Sequence, residues 1–186
     1  MNIMIVGVGG QGTLLASRIL GKVAVDEGYD VKVSEVHGMS QRGGSVVTYV
    51  KYDDKVYSPI IGKGEADIIL AFELLEAYRA LPYLKKGGKM IVNTQQINPM
   101  PVITGSAEYP EGLEEKLSAV CNLTSLKATD LAAGAGNIKA VNVVLIGILA
   151  KSTEVKKESW IDALKATVPE KFLDINLKAF ELGYNY

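Results

Sequence analysis

Apolar residues fall along this chain in two rhythms, and glycine clusters mark where one gives way to the other. Residues 3–6, Ile3-Met4-Ile5-Val6, form an apolar run of strand length. From Leu14 the rhythm changes. Leu15, Ile19 and Val23 recur every four residues with Leu20 and Ala24 beside them. This predicts a helix over 11–27 with a broad apolar face, closed by Gly28. Apolar or β-branched runs at 31–35, 45–52, 67–72, 89–93, 102–104 and 122–127 predict strands. Asp53-Asp54 reads as a turn with 55–57 returning as a hairpin partner, which makes the sheet mixed. Further helices are predicted over 73–81, 110–119, 137–150 and 156–168, and from Pro169 to Gly183. Pro82 stops the first of these. Residues 85–88, two lysines and two glycines, suit its closing segment. Residues 132–136 read as a small-residue turn. Val141, Val143, Val144, Leu145, Ile146, Ile148 and Leu149 make the 137–150 helix apolar over most of its surface, so it is expected to be buried in the domain or at a subunit contact. The expected fold is α/β, a Rossmann-like three-layer domain with a mixed sheet and helices on both faces, spanning residues 1–186 as one domain.

Composition narrows the function. The chain has 186 residues, 20 basic and 21 acidic, for a formal net charge of −1. That balance and the lack of a lysine-rich run argue against nucleic acid. No apolar run reaches the eighteen or so residues a bilayer requires. The N-terminal apolar run has no basic n-region and leads straight into glycines, so it is expected to be a strand and not a signal peptide, and the protein is expected in the cytoplasm. Cys121 is the only cysteine and His37 the only histidine. An iron–sulfur cluster normally takes four thiolates, so this chain cannot hold one alone, and a zinc site from one Cys and one His would be unusual. Cys121, in Val120-Cys121-Asn122-Leu123, reads as a buried strand thiol.

The candidate chemistry lies in two glycine-rich stretches. The first, Gly7-Val8-Gly9-Gly10-Gln11-Gly12, stands between a predicted strand and a predicted helix, the context that gives a G-x-G-x-x-G spacing meaning. Gly7 is expected to make the tight turn, Gly9 to let a phosphate approach the backbone, and Gly12 to let helix and strand lie close. Free amides at the helix start would then attract an anion. A packing turn with no ligand would use the same residues. The second stretch, 36–44, carries Ser40, Gln41, Arg42 and Gly43 and is too glycine-rich for the second crossover helix of a dinucleotide fold. It could clasp phosphate, carboxylate or a partner chain, or serve as a hairpin entry with a solvated arginine. Glu35 is placed roughly where a ribose-binding acid would stand. Glu73, at a predicted strand end, reads better as a helix N-terminal charge than as a catalytic acid. No catalytic set assembles. An NAD- or FAD-dependent reductase and a free-standing nucleotide- or CoA-binding module both remain open.

The chain resembles the small, gamma-type subunits of the 2-oxoacid:ferredoxin oxidoreductases, above all the indolepyruvate branch, in which this piece is a separate small (beta) subunit. The resemblance rests on residues 6–12 and 35–46, on Glu65-Ala66-Asp67 leading to Ala71-Phe72-Glu73, on Leu81-Pro82-Tyr83-Leu84 and Ile91-Val92-Asn93-Thr94, on residues 137–142, and on Asn176, Lys178-Ala179-Phe180 and Gly183-Tyr184. It implies a heteromeric enzyme of anaerobic metabolism that oxidatively decarboxylates indolepyruvate and related aryl pyruvates with coenzyme A, releases CO2 and reduces ferredoxin. Thiamine diphosphate, magnesium and iron–sulfur clusters would belong to the large (alpha) subunit. This chain would hold no tightly bound cofactor and no catalytic residue. Its contacts to coenzyme A would come from Gly7, Gly9, Gly10, Gln11, Gly12, Ser40, Gln41, Arg42 and Gly43, with Arg42 either on coenzyme A or on a carboxylate of the large subunit. An isolated chain could form a homodimer.

Overall fold

The computed structural model describes residues 1–35 and 44–186, and its first strand sets the layers. β1 (Asn2–Val8) sends Ile3 and Ile5 into one core and Met4 and Val6 into the other. A period of two, apolar on both sides, is what a strand covered on both faces requires. α1 (Thr13–Asp26) buries Ala16, Ile19, Leu20, Val23 and Ala24 against the Ile3–Ile5 side. Then come β2 (Asp30–Glu35), β3 (Ser45–Asp53) and β4 (Ala66–Ala71). α2 (Leu74–Ala80) covers the Met4–Val6 side and a 3-10 turn at Leu81–Tyr83 leads into β5 (Leu84–Asn93). α3 (Met100–Ile103), α4 (Leu113–Ser118), β6 (Asn122–Leu126), α5 (Ala128–Ala135), α6 (Val141–Lys151), α7 (Lys157–Thr167) and α8 (Leu173–Tyr184) complete the described chain.

The sheet order is β2-β3-β1-β4-β5-β6. β1, β4, β5 and β6 are parallel neighbours, whereas β3 runs antiparallel to both β1 and β2. The mixed α/β sheet with helices on both faces is therefore present as expected. α1 and α5 to α8 lie on one side, α2 and α4 on the other. α6 is the innermost helix: every residue from Val141 to Ala150 is buried. It meets α8 backbone to backbone. A Cβ on Gly147 would come within 2.3 Å of the Phe180 carbonyl oxygen, and one on Gly183 within 2.0 Å of that of Val144.

Several local expectations give way to tertiary contacts. Residues 55–57 do not return as a strand, because β1 and β2 already occupy both edges of β3 and the Val56 amide donates to Asp30 Oδ2 at 3.0 Å. Residues 85–88 do not close a helix but lie in β5, where they bulge between two pairs with β4, Leu84 with Ala66 and Lys89 with Ile68; Gly87 takes a positive φ there and Lys85 forms an ion pair with Asp67. The expected strand at 102–104 is instead α3, with Pro99 at its N-cap and Pro101 in its first turn, where a missing amide costs nothing. Residues 132–135 of the small-residue stretch belong to α5 and Gly136 is its C-cap; alanines 128, 132 and 135 are buried, and the Ala128 amide is capped by Asn93 Oδ1 at 3.1 Å. Gly183 lies inside α8 and does not end it. Cys121 is half-buried one residue before β6, its thiol donating to the Leu117 carbonyl at 3.2 Å. Burial pushes that thiol upward, away from the thiolate a nucleophile needs.

Candidate functional site

β1 and β4 are parallel neighbours, yet the helices that follow them pack on opposite faces of the sheet. The crevice beyond their carboxyl ends is a topological switch point, the place where open α/β sheets bind ligands. A cleft of about 390 Å³ opens there. Gly10, Gln11 and Gly12 form one wall, and Thr129, Ile138 and Lys139 stand on the other. Gln95 and Thr129 also line an adjoining cavity of about 330 Å³ with Lys127 and Asp130. The second wall is built by β5 and β6, because Asn93 at the end of β5 holds α5 in place through its contacts to Ala128 and Thr129.

The glycines of the first stretch have different tasks from those their spacing implies. Gly7 lies within β1 and does not make the turn. A Cβ there would meet Gln11 Oε1 at 2.9 Å and Phe72 Cβ at 3.0 Å, so Gly7 is the residue that permits close packing between β1, the turn and β4. The Gly9 amide donates to the Gly44 carbonyl at 2.9 Å. Gly10 has φ 99 and open space around its Cβ position. Gly12, φ 85, is the N-cap of α1, and a Cβ on it would lie 2.7 Å from Asn142 Nδ2. It lets α6, and not the strand, come close. Gln11 folds inward: its Oε1 accepts the Val8 amide at 2.7 Å and its Nε2 donates to the Phe72 carbonyl at 3.0 Å and to Gln95 Oε1 at 3.2 Å. Its side chain staples the turn to the end of β4.

α1 begins with no side-chain cap and no acid in its first turn. The Thr13 and Leu14 amides find no acceptor among the described residues. Such an N-terminus carries a partial positive charge directed into the cleft, and Lys139 adds a full one from the facing wall. This is an anion-accepting arrangement. Lys139, Thr129 and Gln95 had no signal of their own in the sequence, since only parallel pairing of β5 and β6 brings their segments to the glycine turn.

The acids nearby are structural. Glu73 is only 1% exposed and is the N-cap of α2. Its Oε2 accepts the Glu76 amide at 2.8 Å, and its Oε1 accepts the Ile97 amide at 3.0 Å and the Tyr109 hydroxyl at 2.6 Å. This is the helix-terminal role expected for it. The buried Glu76 receives the Ser45 hydroxyl at 2.5 Å and the Arg79 guanidinium at 2.6 Å. Glu35 accepts the Ser17 hydroxyl at 2.7 Å, and β3 separates its strand from β1. The side-by-side β1 and β2 of a dinucleotide fold are therefore absent, and with them the geometry for a ribose held by Glu35. Ser40, Gln41, Arg42 and Gly43 lie outside the described residues. Of the described residues on either side, Glu35 ends β2 opposite Thr48, and Gly44, just before β3, accepts the Gly9 amide of the glycine turn.

Among the described residues no three His, Cys, Asp or Glu side chains are grouped to hold a metal ion. A single cysteine does not fit an iron–sulfur cluster, and no described helix is long and apolar enough to cross a membrane. A family model described as pyruvate ferredoxin/flavodoxin oxidoreductase matches residues 2–186. The chain belongs to this family. As a family member it is 45% identical to the indolepyruvate oxidoreductase subunit IorB of Thermococcus kodakarensis, over 98% of this chain and 93% of that one. It is 31% identical to the pyruvate/ketoisovalerate oxidoreductases common subunit gamma of the same organism, over 96% and 92%. The crystal structure of the keto/oxoacid ferredoxin oxidoreductase gamma subunit from Geobacter sulfurreducens superimposes with a TM-score of 0.74 at 26% identity, covering 99% of this chain and 96% of that one. The oxidoreductase family thus supplies both the fold and the kind of subunit to which this chain is similar.

Proposed function

We propose that the chain is the small subunit of an indolepyruvate:ferredoxin oxidoreductase. The complex would convert indolepyruvate and related aryl pyruvates, with coenzyme A, to the aryl-acetyl-CoA and CO2, passing two electrons to ferredoxin. The observation that carries this reading is the gap in identity between two relatives from one organism, 45% to the indolepyruvate subunit against 31% to the common gamma subunit, each over nearly the whole chain. Thiamine diphosphate, magnesium and the iron–sulfur clusters are assigned to the large subunit, in keeping with the lone Cys121. The reading includes one gamma-type domain over residues 1–186 and a cytoplasmic location.

Within that complex the cleft beside the glycine turn would receive the phosphates of coenzyme A. Support comes from the uncapped N-terminus of α1, the backbone of Gly10 and Gly12, and Lys139 opposite. Arg42 would be the second grip, its planar fork suited to phosphate. The decisive experiment is affinity purification from native extract, followed by thiamine and iron analysis and an indolepyruvate:ferredoxin assay. A large partner with both cofactors and CoA-dependent turnover is expected. A chain that purifies alone from active extract would defeat the reading.

A further inference from the structure

Residues 137–142 and Asn176 fall in stretches that the sequence singles out, and the fold brings them together around a second pocket. It encloses about 170 Å³ between the start of α1, the 3-10 turn at Ile138–Ala140 and the start of α8. Leu15, Phe172 and Ile175 give it apolar walls, and Asn142, Asn176 and Lys139 bring polar groups to it. Both of these asparagines are more than nine-tenths buried, 4% and 9% exposed. Asn176 is only half used by the fold. Its Nδ2 donates to the Phe172 carbonyl at 2.8 Å, and its Oδ1 receives no donor among the described residues. A buried acceptor left open is costly until something with a hydrogen to give reaches it.

The pocket adjoins the cleft beside the glycine turn. Asn142 Nδ2 reaches the Gly12 carbonyl at 3.4 Å. Lys139 borders both the pocket and the 390 Å³ cleft, and it forms no ion pair among the described residues. Sites for whole small molecules run to about 300–1,000 Å³. A pocket of 170 Å³ therefore holds one ring of a larger ligand whose remainder lies in the cleft. That ring has to be flat, to lie along Phe172, and has to carry an N–H at its edge for Asn176 Oδ1. The remainder has to be anionic, to suit Lys139 and the open start of α1. An adenine nucleotide combines all three, since the adenine amino group donates to an asparagine oxygen and aromatic side chains stack on its face. We propose that this pocket binds the adenine base of a nucleotide whose phosphates lie in the glycine-turn cleft. The proposal rests on the reading of that cleft as a coenzyme A site and deepens it, because coenzyme A carries adenine on the same side of the molecule as its phosphates. A free adenine nucleotide presents the same base.

Calorimetric titration of the full chain with adenosine 3′,5′-bisphosphate, the nucleotide end of coenzyme A, reads the pocket directly. Phe172→Ala should raise its Kd about tenfold through lost stacking. Asn176→Leu should raise it roughly three- to tenfold through the lost acceptor. Phe172 is 41% exposed, so its variant carries the test should Asn176→Leu fail to fold. In the assembled complex both variants should raise KM for coenzyme A and leave KM for phosphopantetheine, a thiol substrate with no adenine, at its wild-type value. Weakened AMP binding with unchanged KM for coenzyme A would keep the adenine pocket and assign it to a free nucleotide. Wild-type Kd for both adenosine bisphosphate and AMP in the folded variants overturns the pocket and leaves the coenzyme A cleft standing. If coenzyme A, adenosine bisphosphate and AMP all fail to bind the wild-type chain and its complex, the coenzyme A reading falls and the pocket with it.

Discussion

The Tyr109 hydroxyl donates to Glu73 Oε1 at 2.6 Å and accepts the Leu75 amide at 3.1 Å. One phenol thus joins a loop to the first turn of α2, and it does both only while protonated. Burial, the bond to Glu73 and the Glu73 charge all push its ionisation upward. The sequence separation of 36 residues between the partners means that this contact is made by the fold and not by local preference.

Tyr109→Phe should therefore cost about 1.5–3 kcal/mol, the range for a bond to a charged group. Urea unfolding followed by circular dichroism measures it, and a loss under about 0.5 kcal/mol would mean that the bond is replaced by water at no cost. Glu73→Ala should be worse, since it strands the Glu76 and Ile97 amides as well as the hydroxyl.

Tyr52 makes stability fall at high pH. Burial first, then the neighbouring Tyr29 and Asp67, push its phenol up to about 12. A raised pKa means that the native state holds the proton after the unfolded state has released it. The stabilisation is complete below about pH 10, the ordinary tyrosine value, and is lost as pH rises from there to about 12. Denaturation free energies measured across this window should decline in the wild type and decline less in Tyr52→Phe. Tyr109→Phe should flatten the same limb, because its shift has the same sign.

Two glycine-to-alanine changes should have opposite signs. At Gly183 the new Cβ would meet the Val144 carbonyl oxygen at 2.0 Å. This forces α6 and α8 apart, at a cost of about 1–3 kcal/mol or more. At Gly134, within α5, nothing lies within 4 Å of the new Cβ. There alanine should stabilise by roughly 0.5–1 kcal/mol, the helix-interior penalty of glycine removed. Thermal melts of both variants check the pair.

Arg42→Ala, assayed in the assembled complex, should raise KM for coenzyme A and leave KM for indolepyruvate nearly unchanged. A charge-assisted contact of about 1.5–3 kcal/mol corresponds to roughly ten- to a hundredfold. Arg42→Lys should recover part of the loss, lacking the planar fork. Size-exclusion of the mutant complex comes first. Dissociation would assign Arg42 to a carboxylate of the large subunit, and an intact complex with unchanged KM for coenzyme A would remove it from the CoA site.

Most of the strands and long helices were legible because each carries its own periodicity. Alternation in β1 and the four-residue rhythm of α1 are properties of a few consecutive side chains, and burial on two faces or one follows from them. The family motifs were legible for the same reason. What the sequence could not express is which distant groups satisfy a local segment. Asn93 caps the first amide of α5 from β5, and 85–88 bulge within β5 because the pairs on either side, Leu84 with Ala66 and Lys89 with Ile68, are set by β4. The glycine turn was recognised by spacing, but its individual roles were decided by neighbours up to 130 residues away, Asn142 beside Gly12 and Gln95 beside Gln11. The cleft is likewise a tertiary product, since its two walls come from segments that meet only when β1, β4, β5 and β6 align their carboxyl ends. Local pattern determines which element forms wherever side-chain burial is periodic. Close approach and long-range capping decide the rest, because a hydrogen-bond partner or a missing Cβ matters only once another segment has arrived beside it.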